Sequence, residues 1–144
     1  MNLPGSKLLN RDFPARFLRI FWPPILIFGL HFVFARFLNF YLLFPWIDIP
    51  MHFLGGLSIA FSISMTLDTL QEERLIAPLD RVIAYLLIFS LVATIAVFWE
   101  FSEFSMDQLY GTNSQISLQN TMQDLFMGIL GASTLLGYKI AKKD

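Results

Sequence analysis

Four long apolar runs constrain this chain more than any other feature of its sequence. Each run is close to the roughly 20 residues that a helix needs to cross the hydrocarbon core of a bilayer. Of the 144 residues, 56% are hydrophobic and only 15% are charged, which excludes an ordinary soluble domain. The sequence therefore predicts an all-α, polytopic membrane bundle of four transmembrane helices, forming a single domain. The spans are expected at about 23–44, 50–70, 81–104 and 121–140.

A short basic and aromatic segment, residues 1–22, precedes the first span. Its basic residues are Lys7, Arg11, Arg16 and Arg19. Basic residues among large apolar side chains are typical of a segment that lies at the membrane interface. Pro23 and Pro24 then fit the first turn of the spanning helix, where a missing amide removes no intrahelical hydrogen bond.

The predicted loops and chain ends that carry basic residues all fall on one side of the predicted bundle. Besides the N-terminal group, they are Arg74 and Arg81 in the loop between spans two and three, and Lys139, Lys142 and Lys143 at the end of span four. The connections at about 45–50 and 105–120 contain no Lys or Arg. Basic loops stay on the cytoplasmic side of a membrane. We therefore expect both termini in the cytoplasm and interpret the basic residues as orientation signals, with no nucleic-acid partner.

An acid and an imidazole stand four residues apart where span two begins, on the predicted outer side. Asp48 and His52 would lie on one face of the helix. A purely structural interpretation is also open, in which Asp48 caps the helix and His52 rests at the membrane surface. The chain has no cysteine, so thiolate metal sites and cysteine nucleophiles are excluded.

Other polar residues fall on the same predicted side. Span three ends with Glu100, Glu103 and Asp107, and span four begins with Asn120, Gln123 and Asp124. Structural interpretations exist for some of these, because Glu103 and Asp107 could lie in water and Asp124 suits a helix N-terminus. An unpaired Arg36 within span one would be costly, so we expect it to face the bundle and pair with Glu100.

Small residues continue these polar faces inward along the helices. They are Gly55 and Gly56 in span two and Gly128 and Gly131 in span four. Residues without large side chains let the backbones of membrane helices approach one another. The pattern therefore predicts close helix packing directly beneath the polar residues.

Three short sequence blocks follow one another on successive predicted helices. They are Asp48-x-x-x-His52 with Gly55-Gly56, Trp99-Glu100-x-x-Glu103, and Asn120-Thr121-x-x-Asp124 with Gly131-Ala132. This pattern resembles the YjdF-like group of small bacterial membrane proteins and, more distantly, the VanZ-like family. The third block departs from the YjdF-like pattern, in which an aspartate usually occupies the position of Asn120. The resemblance implies a multi-pass protein of the bacterial cytoplasmic membrane, in a largely uncharacterised family whose VanZ-like relatives are associated with the cell envelope.

The candidate ligands combine one imidazole with four carboxylates: Asp48, His52, Glu100, Glu103 and Asp124. Nitrogen and oxygen ligands suit zinc, manganese or iron, and oxygen ligands alone suit magnesium or calcium. A cation would also relieve repulsion between converging carboxylates. We expect an outward-facing site for a divalent cation or the head group of an envelope lipid, with Arg36, Asn120, Gln123 and Asp107 in support. Two alternatives remain: a metal-dependent enzyme that modifies an envelope lipid, and a structural accessory protein without a ligand. The sequence leaves the oligomeric state open.

Overall fold

A computed structural model describes residues 13–38 and 40–142, apart from the side chains of Phe13 and Arg36. This part of the chain is all-helical, as predicted. Its helices are α1 (Phe13–Arg36), α2 (Phe40–Leu43), α3 (Asp48–Glu72), α4 (Arg81–Tyr110) and α5 (Leu118–Lys142), with a 3-10 turn at Pro45–Ile47 before α3. The orientation signals expected at Lys7, Arg11 and Lys143 lie outside the described residues.

Three stretches of the described chain are long and apolar enough to cross a membrane. They are Pro14–Ala35, Pro45–Glu72 and Arg81–Tyr110. The fourth predicted span corresponds to α5, which does not meet the same criterion. Its first two turns carry Gln119, Asn120, Gln123 and Asp124, and these polar side chains lower the apolar character of the helix.

The first helix differs most from its predicted span. Residues 13–22, expected as an interfacial lead-in, are helical and continuous with the apolar run. Pro23 and Pro24 lie inside α1 and not in its first turn. The helix ends at Arg36, and the described part of the segment expected to complete span one contains a bend before residue 39 and the short helix α2 after it. Local proline rules alone therefore misplaced the beginning of this helix.

A neighbouring helix compensates for Pro24 inside α1. Proline has no amide to donate to the carbonyl four residues earlier, which here belongs to Ile20. The hydroxyl of Ser62 on α3 donates to that carbonyl oxygen at 2.7 Å, and Ser62 is buried. Side chains of adjacent helices commonly satisfy backbone groups freed by proline in membrane proteins. This bond joins α1 to the middle of α3.

The central helix is α3, which packs against α1, α4 and α5. The α3 and α5 helices run parallel, since Gly56 contacts Gly128 near their beginnings and Ser64 contacts Lys139 near their ends. Buried apolar side chains fill the space between α3, α4 and α5: Ala60, Leu67, Ile88, Val92, Ala132 and Leu136. The parallel arrangement brings the polar N-terminal turns of α3 and α5 to the same end of the bundle.

The opposite end of the bundle gathers basic side chains, and we call it the basic end. Arg16 of α1 forms an ion pair with Glu73 at 2.6 Å. Lys139 of α5 lies 3.8 Å from Asp68 and donates to the hydroxyl of Ser64 at 2.6 Å. These contacts bring the beginning of α1 and the ends of α3 and α5 together, away from the predicted polar site.

The last helix turn of α4 extends beyond the predicted end of span three. The helix continues to Tyr110 and stops at Gly111, whose left-handed backbone (φ 65°) suits glycine. As a result, Asp107 lies within the helix, and its side chain faces the loop that follows.

Replacing Ser62 with alanine should lower the free energy of unfolding by about 1–2 kcal/mol, because the buried Ile20 carbonyl loses its donor. The melting temperature in detergent micelles measures this loss. Pro24→Ala restores an amide within α1, so Ser62→Ala should be much milder in that background. Ser133→Ala, which removes a bond within an exposed face of α5, is the control. If Ser62→Ala lowered the melting temperature equally with Pro24 and with Pro24→Ala, the compensation of Pro24 by Ser62 would be contradicted.

Candidate functional site

Asp48 and His52 face one another at the beginning of α3. The Oδ1 atom of Asp48 lies 3.3 Å from Nε2 of His52, and both side chains are largely buried. Asp48 is in the first turn, but the residue at the cap position is Ile47 and no side chain caps this helix. The capping interpretation of Asp48 therefore does not hold, and its carboxylate is directed toward the site.

Asn120 and Asp124 bring α5 into the same cluster. The side-chain amide of Asn120 donates to Oδ2 of Asp48 at 3.3 Å and to Oδ2 of Asp124 at 2.7 Å. The remaining oxygen of Asp124, Oδ1, lies 3.9 Å from Nε2 of His52. Only 2% of the Asp124 surface is exposed. Asn120 thus orients two carboxylates from two helices around one imidazole.

Close contact between the backbones of α3 and α5 makes this approach possible. A Cβ atom on Gly56 would lie 1.9 Å from the carbonyl oxygen of Gly128, and one on Gly131 would lie 2.1 Å from that of Phe53. Any larger residue at Gly56 or Gly131 would push the helices apart. Gly55 differs from its predicted packing role, because a Cβ there would meet nothing within 4 Å.

Two acids of α4 approach His52 from the other side. Glu100 is 4% exposed, and its Oε2 atom accepts a hydrogen bond from the side chain of Gln115 at 3.1 Å. Gln115 also donates to the backbone carbonyl of Glu100 at 2.9 Å. The indole of Trp99 donates to Oε1 of Glu103 at 3.0 Å. Both carboxylates are therefore held in place by neutral donors.

The five candidate ligands form two groups that share His52. One group, the α3–α5 triad, is Asp48, His52 and Asp124; the other, the α3–α4 triad, is His52, Glu100 and Glu103. Within each triad the potential ligand atoms lie within 4.8 Å of one another. An ion bound at about 2.0–2.6 Å holds its ligands within about 5 Å of one another. Either triad could therefore surround a cation after small side-chain movements.

One oxygen in each triad is buried without a hydrogen-bond partner among the described residues. These atoms are Oδ1 of Asp124 and Oε1 of Glu100. Buried polar atoms are nearly always paired, because an unpaired one loses its hydration without compensation. Two such carboxylate oxygens beside one imidazole are the arrangement that a cation would satisfy.

The other predicted supporting residues lie in different surroundings. Asp107 accepts hydrogen bonds from the hydroxyl of Thr112 and from the amides of Ser114 and Gln115, so it organises the loop after α4. Gln123 is half-buried on α5, outside both triads. The side chain of Arg36 is not among those described, so its pairing with Glu100 stays a prediction.

Sequence reasoning missed two donors that hold the acids, Gln115 and Trp99. Gln115 lies in a polar connection that gives no helical spacing, so nothing in the sequence links it to Glu100. In the structure, Asp107 holds Gln115 near Glu100, because its carboxylate accepts a hydrogen bond from the backbone amide of Gln115 at 2.9 Å. Trp99 is four residues before Glu103 on one helix face, and this spacing could have predicted their hydrogen bond.

A cavity of about 300 Å³ adjoins the cluster between α1, α3 and α4. Its walls are mostly apolar, and His52 and His31 are polar residues that line it. Nδ1 of His31 lies 2.6 Å from the hydroxyl of Tyr41, which makes His31 a hydrogen-bonded packing residue. His52 is therefore shared between the polar cluster and an apolar space.

The family model described as "Predicted membrane protein (DUF2238)" matches residues 8–143 of the chain. The chain belongs to the DUF2238 family. An uncharacterized protein of Thermotoga maritima is 34% identical over 117 residues, which cover 79% of this chain and 58% of that relative. The DUF2238 chain thus spans less than two thirds of the relative's length. No solved structure matches the DUF2238 chain.

Membership of the DUF2238 family agrees with the YjdF-like resemblance of the three sequence blocks. The family description and the three apolar helical segments together make this chain a membrane protein in contact with the lipid bilayer. Neither the description of the family nor the name of the relative gives an activity.

Asp107→Ala should release the loop of this DUF2238 protein from α4. The amides of Ser114 and Gln115 lose their carboxylate acceptor, so we expect their hydrogen exchange to become about tenfold faster. Hydrogen–deuterium exchange with peptide-level mass spectrometry measures the change. Glu72→Ala, an exposed acid on α3, should leave the loop as it is. Unchanged exchange at residues 114 and 115 in Asp107→Ala would contradict this role.

Proposed function

We propose that this membrane protein binds a divalent cation through His52 and the carboxylates around it. The observation that carries the proposal is the pair of buried, unpartnered oxygens on Asp124 and Glu100, one in each triad. Among the described side chains, no lysine or arginine forms an ion pair with these acids. A divalent cation bound between these acids would compensate their charge.

The donor set favours a metal that accepts both nitrogen and oxygen. One imidazole with carboxylates suits zinc, manganese or iron better than calcium, which prefers oxygen ligands alone. Asn120, Gln115 and Trp99 already orient all four acids. Such outer-shell donors commonly hold metal ligands in place. Each triad offers three ligands and would leave a coordination position open for water or a lipid head group.

We also infer the topology of the whole chain. In this proposal α5 crosses the membrane as a fourth span, its polar first turns being sheltered against α3 and α4, and residues 1–144 form one domain. The basic end faces the cytoplasm with both termini, in a bacterial cytoplasmic membrane, and the polar cluster opens outward. The ion pairs that gather Arg16 and Lys139 at one end support this orientation.

Two further candidates each have one observation in their favour. A metal-dependent enzyme that modifies an envelope lipid is favoured by the apolar cavity at His52, because a metal-activated water there would lie beside a lipid. A structural accessory protein is favoured by Asn120, whose two hydrogen bonds fix α3 against α5. The distant VanZ-like relationship remains an expectation and adds no activity to either.

Elemental analysis of protein purified in detergent tests the cation site. We expect about one or two equivalents of a transition metal in the natural sequence, and at least a tenfold loss of affinity in His52→Ala, Glu100→Gln and Asp124→Asn. The isosteric amide variants keep the shape of the side chain and remove a negative oxygen. Glu72→Gln, an exposed acid outside both triads, is the matched control. Metal absent from the natural sequence, or held equally by all variants, would overturn the proposal.

A reporter fused after Asp144 tests the topology. If α5 spans the membrane and the basic end is cytoplasmic, a fluorescent protein should be active there and alkaline phosphatase should be inactive. The same reporters inserted after Asn113, in the connection between α4 and α5, should give the reverse pattern. An active phosphatase at Asp144 would overturn the orientation or remove α5 from the spans.

A further inference from the structure

The cavity beside His52 has room for part of one hydrocarbon chain. On α4 it extends from Val92 to Trp99, and on α3 from Met51 to Ile59. Seven residues correspond to about 10 Å along a helix axis. Its volume of about 300 Å³ is at the lower end of the range for small-molecule pockets. A mostly apolar space of this length fits part of an alkyl chain better than a polar metabolite.

The cavity reaches the outer surface of the bundle between α1 and α4. Phe28 and Ile95 line it, yet they are 56% and 39% exposed. Both belong to stretches that are apolar enough to cross a membrane, so this surface faces lipid. Edge-to-face contacts of Trp99 with Phe28 and His31 join α1 to α4 at the end nearest the polar cluster. A chain from the bilayer could therefore enter laterally, below these rings.

His52 connects this cavity to the candidate cation site. It is a member of both triads and also lines the cavity. A lipid whose chain occupied the cavity would place its head group beside His52. An ion held by three protein ligands could then accept a head-group oxygen in its open coordination position.

The charges around His52 select the type of head group. One divalent ion would leave part of the negative charge of four carboxylates uncompensated, so an anionic lipid would add to the repulsion. A zwitterionic head group brings a phosphate oxygen for the ion and an ammonium group for the remaining acids. In particular, the α3–α4 triad offers Glu100, whose Oε1 atom has no partner among the described residues.

We propose that the cavity binds one chain of an amine-bearing phospholipid of the phosphoethanolamine type. Its phosphate binds the cation held at His52, and its ammonium group pairs with a carboxylate oxygen of Glu100 or Glu103 that the ion does not bind. This inference rests on the proposed cation site and names the lipid that reaches it.

Native mass spectrometry of the full chain, released from micelles, tests the inference with phosphatidylethanolamine and phosphatidylglycerol of identical acyl chains. Gly55→Leu is the decisive variant, because its side chain grows into the cavity from a position where a Cβ meets nothing. Gly137→Leu, equally open but outside the cavity, is the matched control. The metal content of every sample is measured in parallel.

We expect metal-loaded protein to bind phosphatidylethanolamine at least tenfold more tightly than phosphatidylglycerol, and Gly55→Leu to lose this binding at least tenfold while keeping its metal. Gly137→Leu should match the natural sequence. Unchanged binding in Gly55→Leu would overturn the chain site, and equal binding of both lipids would overturn the head-group assignment. Binding that survives removal of the metal with a chelator would overturn coordination by the ion. If the natural sequence holds no metal, the cation site itself fails and the inference fails with it.

Discussion

The close approach of α3 and α5 is the constraint on which the rest of the structure depends. Two parallel helices bring the polar turns at their beginnings together, and they can approach this closely only because Gly56 and Gly131 leave room for the facing backbone. Asn120 can then reach both Asp48 and Asp124. Packing in the apolar part of the bundle thereby determines the distances between charged groups at its end.

Burying four acids around one histidine opposes folding unless something compensates them. Neutral donors compensate part of the lost hydration, since Asn120, Gln115 and Trp99 each donate a hydrogen bond to a carboxylate oxygen. They leave one oxygen on Asp124 and one on Glu100 without a partner among the described residues. In the proposed cation site, these neutral donors would form part of the outer shell that holds the ligands in place.

The sequence predicted the features that depend on local spacing and failed where distant contacts decide. The all-helical membrane class followed from the lengths of the apolar runs, and the spacing of Asp48 and His52 placed them on one face. Pro23 and Pro24 favour a helix start by local rules alone, because nothing near them in the sequence reveals that Ser62 satisfies the carbonyl of Ile20. Gln115 was missed for a similar reason, since it lies in the irregular connection after α4 and its partner Glu100 lies about three turns back inside that helix.

The bond between Ser62 and Ile20 also has an evolutionary consequence. A proline on α1 and a hydroxyl on α3 act as one unit, although 38 positions separate Pro24 from Ser62 in the sequence. In a DUF2238 protein with an amide-bearing residue at position 24, the carbonyl of residue 20 has a donor within its own helix. Selection for a hydroxyl at position 62 is then relaxed, so these two positions should vary together across the family.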